Sequence, residues 1–195
     1  MANKGVSPSA RRTFAPLTPD RWKDLETLFG ARGACGGCWC MAWRLEPKAF
    51  RAGKGEGNHR AFEALVKTGP PPGVLAYAGA APAGWCGVAP RSAYPRLVNS
   101  RILAPVDDEA VWSVSCLFVA KAHRRAGLSA DLLAAAAALA KSLGATTVEG
   151  YPVDTRGENQ PAPFVWTGLP SAFLRAGFTE VARRSPTRPI LRKTV

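Results

Sequence analysis

The chain has 195 residues, of which 47% are hydrophobic, enough to bury one substantial core. We therefore predict a single domain over 1–195, with residues 1–12 as a flexible extension. No stretch resembles a secretory signal or approaches the roughly 20 apolar residues of a membrane helix, so we predict a cytoplasmic protein without a membrane partner. The net charge of +12 favours an anionic ligand or a nucleic acid, and it does not distinguish between the two.

The order of the predicted elements is that of a mixed α+β chain. Runs of β-branched and aromatic residues mark strands, and apolar side chains three and four residues apart mark helices. Thr18 is expected to cap the first helix and Gly30 to end it. In chain order we expect a strand at 13–17, helices at 19–29 and 58–67, a hairpin of strands 74–78 and 84–88, a central strand at 111–119, a helix at 128–143, a strand at 146–151, a helix at 169–176, and strands at 178–184 and 189–192.

The segment between the central strand and its helix carries the clearest functional signal. It runs from His123 to Ser129, and Gly127 permits a ligand to approach the backbone closely. Free N–H groups at the helix start, with Arg124 and Arg125 beside them, favour an anion such as a pyrophosphate. The glycine spacing of a P-loop or of a dinucleotide fold is missing, which disfavours ATP and NAD.

Residues Arg124 to Ser129 resemble the Arg/Gln-x-x-Gly-x-Gly/Ala signature of the GNAT superfamily of N-acetyltransferases, although Ser129 departs from the usual last residue. The preceding Leu117-Phe118-Val119 looks like that family's cofactor-side strand, and 173–178 looks like its late helix-to-strand turn. The resemblance implies a mostly antiparallel central sheet of six to seven strands, a splayed central strand and about four flanking helices. It implies acetyl-CoA as acyl donor, bound by Leu117, Phe118, Val119, Arg124, Arg125, Ala126, Gly127, Leu128, Ser129 and Ala130.

The same resemblance implies direct acetyl transfer to a primary amine, with a backbone N–H of the splayed strand polarising the thioester carbonyl. The family often has a tyrosine four residues before the late glycine, and this chain has Phe173 there. As replacement candidates for the acid and base we take Tyr151, Glu149 and Ser115. A small-molecule amine is favoured over a protein as acceptor, and a homodimer stays open.

The acceptor is expected between two loop segments, 31–57 and 152–168. Aromatic walls and a cation suit an aromatic or anionic acceptor. The residues that we predict to contact it are Trp39, Trp43, Arg44 and Asp154. Of the other tryptophans, Trp85 and Trp166 are further pocket candidates, and Trp22 and Trp112 fit core positions.

Two other functions are alternatives to that of an enzyme. Cys35, Cys38 and Cys40 could hold zinc with Cys86 or His59, but no second Cys-x-x-Cys is present, and we predict reduced thiols and no metal. The basic segment 183–195 could contact RNA, although its prolines favour an edge strand with charged side chains. A catalytically weak acyl-CoA- or RNA-binding protein of the same fold is the alternative that we keep.

Overall fold

A computed structural model describes residues 11–195. The extension predicted for 1–12 lies outside these residues except for Arg11 and Arg12, and Arg12 already begins the first strand. The strands are β1 (Arg12–Pro16), β2 (Gly73–Ala78), β3 (Ala81–Pro90), β4 (Trp112–Val119), β5 (Thr147–Gly150), β6 (Thr179–Arg183) and β7 (Pro189–Thr194). The α-helices are α1 (Trp22–Phe29), α2 (Pro47–Ala52), α3 (Glu56–Thr68), α4 (Pro95–Val98), α5 (Leu128–Ser142) and α6 (Pro170–Arg175). None of them, within residues 11–195, has the length and apolarity to cross a bilayer.

The seven strands form one sheet in the order β1-β2-β3-β4-β5-β7-β6. Every neighbouring pair is antiparallel except β4 and β5, which run parallel. The predicted mixed, mostly antiparallel sheet is therefore confirmed. The four predicted helices correspond to α1, α3, α5 and α6, and the structure adds the short helices α2 and α4.

The central strand β4 is splayed from its parallel neighbour. Only its first three residues, 112–114, pair with β5, whereas β4 continues to Val119. On its other side β4 stays paired with β3 as far as Val119, with a bulge at Gly87 and Val88. The second half of β4 therefore has one edge that no strand covers, and this edge positions the site.

Helices cover both faces of the sheet. On one face, α5 buries Leu128, Leu132 and Leu133 against β2, β3 and β4, which explains the leucine spacing of its sequence. On the other face, α1 and α3 bury aromatic and aliphatic side chains, among them Phe62, around the fully buried Trp85. Trp85 is therefore a core residue, and its prediction as a pocket residue is wrong.

Two further sequence predictions need correction. Thr18 makes no capping bond to the backbone; a 3₁₀ turn precedes α1, and the Thr18 hydroxyl accepts a hydrogen bond from Arg21 Nη1 at 2.7 Å. The strand β7 lies inside the sheet between β5 and β6, so the basic C-terminal segment is not an edge strand. Its Arg192 is paired with carboxylates, and Lys193 Nζ donates to a helix-end carbonyl at 2.7 Å. These cations are therefore engaged within the protein.

Candidate active site

A cleft of about 500 Å³ lies at the uncovered edge of β4. Its walls come from the end of β4, the loop and first turn of α5, the segment 162–175, and Ala34 and Cys35 from the loop after α1. Among residues 11–195, three arginines line it, Arg124, Arg125 and Arg175, and no Asp or Glu does. The cleft is therefore suited to a ligand with several negative charges.

The loop before α5 has the backbone geometry of an anion cradle. Gly127 has φ +80°, and Arg125, two residues earlier, is also left-handed at φ +62°. Within the described residues, the N–H groups of 125–129 have no hydrogen-bond acceptor, and a Cβ on Gly127 would meet no atom within 4 Å. The loop is anchored by Arg12, which pairs with Asp131 and donates to the Ala126 carbonyl at 2.5 Å. Donors at a helix start with open space before them fit a phosphate.

The uncovered edge of β4 is partly occupied by the chain itself. The Leu117 N–H donates to the Trp166 carbonyl at 2.7 Å, and the Val119 carbonyl accepts from Arg124 Nε at 2.9 Å. The Val153 N–H in turn donates to the Gly168 carbonyl at 2.9 Å. The segment 166–168 therefore fills the gap between β4 and the chain that leaves β5.

The ten predicted cofactor residues lie together in this region. Leu117, Phe118, Val119 and five of the loop and helix residues line the cleft, whereas Ala126 and Ala130 lie beside it. Arg175 and Cys35 also line it, and sequence reasoning missed both as cleft residues. The position of Arg175 in the late helix-to-strand turn was the available signal for it.

Two predicted catalytic residues, Glu149 and Tyr151, lie in a buried polar network outside the cleft lining. The Glu149 carboxylate accepts from Tyr151 Oη at 2.6 Å, Arg192 Nε at 2.7 Å and Arg91 Nη1 at 3.1 Å. Arg91 and the Ser113 hydroxyl also contact Tyr151 Oη, each at 2.8 Å. Burial first, and then the nearby Glu149, raises the pKa of Tyr151 far above its usual value. This tyrosine is a fully bonded, neutral member of the network.

Ser115 lies on β4 itself, two residues before Leu117. Its side chain lies near the buried Tyr94, which the sequence analysis did not single out. The Tyr94 hydroxyl also accepts from Arg44 Nη2 at 3.4 Å, and the Arg44 guanidinium lies 4.8 Å from its ring centre. Burial raises the pKa of Tyr94, while Arg44 and Ser115 partly offset this. Arg44 is thus bonded to a tyrosine that lies near the central strand.

The predicted acceptor residues separate into two groups. The Trp43 ring packs on Trp166, with centroids 5.6 Å apart, and Trp166 lines the cleft. Trp39 instead is buried against His59, at 4.4 Å between ring centres, beside a second depression. Asp154 forms an ion pair with Arg183 at 2.8 Å and does not line the cleft. Trp43 and Arg44 are the predicted acceptor residues that lie beside the site.

The cysteines are unpaired thiols in different environments. Cys35 is exposed on the cleft wall, Cys38 is half-buried, and Cys40 is buried, where it accepts a hydrogen bond from Trp85 Nε1 at 3.0 Å. Burial raises the pKa of Cys38 to about 11. Across residues 11–195, no three His, Cys, Asp or Glu side chains are grouped to hold a metal ion.

Comparison with solved structures shows the same fold in distant proteins. An acetyltransferase of the GNAT family from Listeria monocytogenes is 10% identical, with a TM-score of 0.56, 94% of this chain covered and 95% of the other. NAA60 of Arabidopsis thaliana in complex with acetyl-CoA is 14% identical, with a TM-score of 0.50 and coverages of 95% and 100%. The PaiA N-acetyltransferase of Thermoplasma acidophilum in complex with coenzyme A is 12% identical, with a TM-score of 0.50 and coverages of 95% and 99%. No curated protein matches the chain in sequence.

The sequence pattern of the acetyltransferase (GNAT) family matches residues 39–166. This range is more than half of the chain and includes β4, the anion cradle and Trp166. The resemblance on which the sequence analysis relied is therefore confirmed. The chain belongs to the GNAT family of acetyltransferases.

Proposed function

We propose that this protein is an N-acetyltransferase that transfers the acetyl group of acetyl-CoA to a primary amine of a small molecule, and that residues 1–195 act as one catalytic domain. The observation that carries the proposal is the acid-free, arginine-lined cleft along the uncovered edge of β4. Family membership gives the reaction class. Coenzyme A or acetyl-CoA is named as the ligand of two proteins of the same fold.

The donor's phosphates would be bound by the cradle 124–129. Their charge is matched by the lining arginines, and their oxygens by the unoccupied N–H groups before α5. The pantetheine arm would lie along Val119 and Leu117, whose backbone groups face the gap beside β4. Coenzyme A is long, polyanionic at one end and amide-bearing along its arm, and this cleft offers matching groups in that order.

Transfer would proceed in a ternary complex. The neutral amine attacks the thioester carbonyl carbon, a C–N bond forms and the C–S bond breaks. The amine nitrogen loses one proton, and the thiolate leaving group takes one up. The Leu117 N–H is our candidate for polarising the carbonyl oxygen, once the thioester oxygen has replaced the Trp166 carbonyl as its acceptor. Most of the rate acceleration would come from positioning and this electrostatic contact.

For the proton transfers we assign different roles to the three predicted residues. Ser115 is the catalytic candidate, because it lies on β4 two residues before Leu117, beside the proposed reaction point. For Tyr151 and Glu149 we propose a positioning role, since their polar atoms are bonded within the buried network. They would hold β4 and β5 at the point where the two strands separate.

Calorimetric titration with acetyl-CoA, free CoA and ATP tests the donor assignment. We expect micromolar affinity for both CoA species, none for ATP, and loss of CoA binding in Gly127→Glu, because a carboxylate would occupy the cradle. Gly144→Glu is the matched control: Gly144 follows α5, has φ +94°, and a Cβ added there would also meet no atom within 4 Å. Equal CoA binding by the two variants would contradict the proposed cradle, and release of free thiol with a panel of amines then tests turnover.

A further inference from the structure

The half-buried arginines of this protein differ in whether they have a counter-charge. Those with a carboxylate within 4.0 Å are Arg12, Arg21, Arg91 and Arg192. Those without one, among the described residues, are Arg44, Arg96 and Arg188. A guanidinium that is partly removed from water without a counter-charge is costly. Three such groups therefore point to an anion that the chain does not itself supply.

Each of the three unpaired arginines is related to the Trp43–Trp166 pair by a contact or by a chain neighbour. Arg44 directly follows Trp43 in the chain, and the Arg96 guanidinium lies 5.8 Å from the Trp43 ring centre. Arg188 donates at 3.2 Å to the threonine hydroxyl that follows Trp166. All three cations are thus connected to one aromatic pair, and sequence reasoning could not have found this because four separate segments are involved.

Two donors beside this aromatic pair, Trp43 Nε1 and the Arg44 guanidinium, lack a close acceptor within the described residues. The buried Trp43 Nε1 has no acceptor within the part of the chain that the structure describes. Arg44 has one long side-chain hydrogen bond, to Tyr94. A carboxylate supplies the missing acceptor atoms and matches the planar guanidinium fork.

The region around this aromatic pair adjoins the proposed reaction point from two directions. The backbone of Trp166 contacts the Leu117 N–H, while its ring packs on Trp43. From the other side, Arg44 contacts Tyr94, which lies near Ser115 of β4. A ligand held by the arginines thus lies next to the strand on which the thioester is to be attacked.

We infer that Arg44, Arg96 and Arg188, with the Trp43–Trp166 pair, form the acceptor subsite for a carboxylate. The acceptor is accordingly an amine that carries a carboxylate, as an amino acid does, and not a polyamine or a lysine-rich peptide. The lack of Asp and Glu in the cleft agrees with this, because a polycation would find no counter-charge there. The inference rests on the proposed acetyl transfer for the identity of its ligand.

Binding of reaction products tests the subsite independently of turnover. The probes are N-acetylphenylalanine, N-acetylleucine and N-acetylglycine, each compared with the N-acetyl derivative of the decarboxylated amine, titrated calorimetrically in the presence of free CoA. We expect at least one carboxylate to bind about tenfold or more tightly than its decarboxylated counterpart, and Arg44→Gln to remove that difference. Arg51→Gln, at an exposed position of α2 that makes no ion pair, should leave it unchanged. If no pair differs, or if Arg44→Gln keeps the difference, the subsite is wrong.

Turnover separates this inference from the proposed function. With acetyl-CoA saturating, amino acids should be acetylated with a higher kcat/KM than their decarboxylated amines, and Arg44→Gln should lower the value for amino acids far more than the value for the amines. Equal kcat/KM for both classes would overturn the carboxylate assignment while acetyl transfer stands. Binding of carboxylates that depends on Arg44, without acetylation of any amine, would support the subsite and reject the proposed reaction.

Discussion

Replacing Tyr151 by Phe separates a positioning role from an acid role for this residue. The ring occupies the same buried space in both side chains, so the change removes the hydroxyl and its contacts with Glu149, Arg91 and Ser113. Losing a buried hydrogen bond to a charged group costs about 1.5–3 kcal/mol. We expect the free energy of unfolding to fall by about 2 kcal/mol, because Glu149 keeps its two arginine partners.

Urea denaturation and thiol release measure the two effects on the same samples. In Tyr151→Phe we expect kcat to fall less than about tenfold, below the roughly 10²- to 10⁴-fold contribution of a general acid or base, with an unchanged pH profile. Tyr77→Phe is the matched control, since the half-buried Tyr77 hydroxyl donates to Asp24 at 2.7 Å and its loss should cost only about 1 kcal/mol. A kcat lowered more than about a hundredfold, with unaltered stability, would refute the positioning role and restore Tyr151 as the acid.

Two further predictions concern packing and the cleft. A Cβ on Gly150 would lie 2.7 Å from Phe173 Cζ, so Gly150→Ala should destabilise the fold by about 1–3 kcal/mol. Gly57 lies in a helix with open space around it, so Gly57→Ala should stabilise the fold by about 0.5–1 kcal/mol. Urea denaturation measures both changes. Iodoacetamide at pH 8 should modify the exposed Cys35 first, and bound CoA should slow this reaction because Cys35 lines the cleft. Cys38 has a pKa of about 11, so about one Cys38 thiol in a thousand is ionised at pH 8 and its reaction should be far slower. Labelling of Cys35 that CoA does not slow, read by mass spectrometry, would contradict the donor position.

The sequence predicted local structure best. β4, its glycine-containing loop and α5 were predicted to within one or two residues at most of their ends, because strand composition, helical spacing and a glycine stop all act over short distances. The short helices α2 and α4 were missed although Pro47 and Pro95 open them, and proline at a first helical position is a recognised start signal. Neither helix has enough turns for an apolar period to be visible.

Long-range contacts set the limit of the site prediction. Trp85 and Trp166 are the same residue type in glycine-containing surroundings, yet one is fully buried beneath α1 and α3 and the other lines the cleft. Tyr94 contacts a side chain 50 residues away, and the Glu149 network contains directly bonded residues up to 60 positions apart. Such pairs depend on sheet order, and periodicity within one segment contains no information on it.

The hydrogen bond between the Leu117 N–H and the Trp166 carbonyl explains how the site could pass from the ligand-free to the thioester-bound form with little loss of free energy. In the structure the Leu117 N–H is satisfied by a carbonyl of the 152–168 loop, which spares it the penalty of a buried donor without a partner. When a thioester oxygen takes that place, one hydrogen bond is replaced by another, and the freed carbonyl can accept from water or from the incoming amine. The Trp166 ring packs on Trp43, so movement of this loop would change both the hydrogen bonding of the Leu117 N–H and the shape of the proposed carboxylate subsite. Donor binding and acceptor binding are then coupled through one residue, and the affinity for a carboxylate product should differ between the CoA-bound and CoA-free protein.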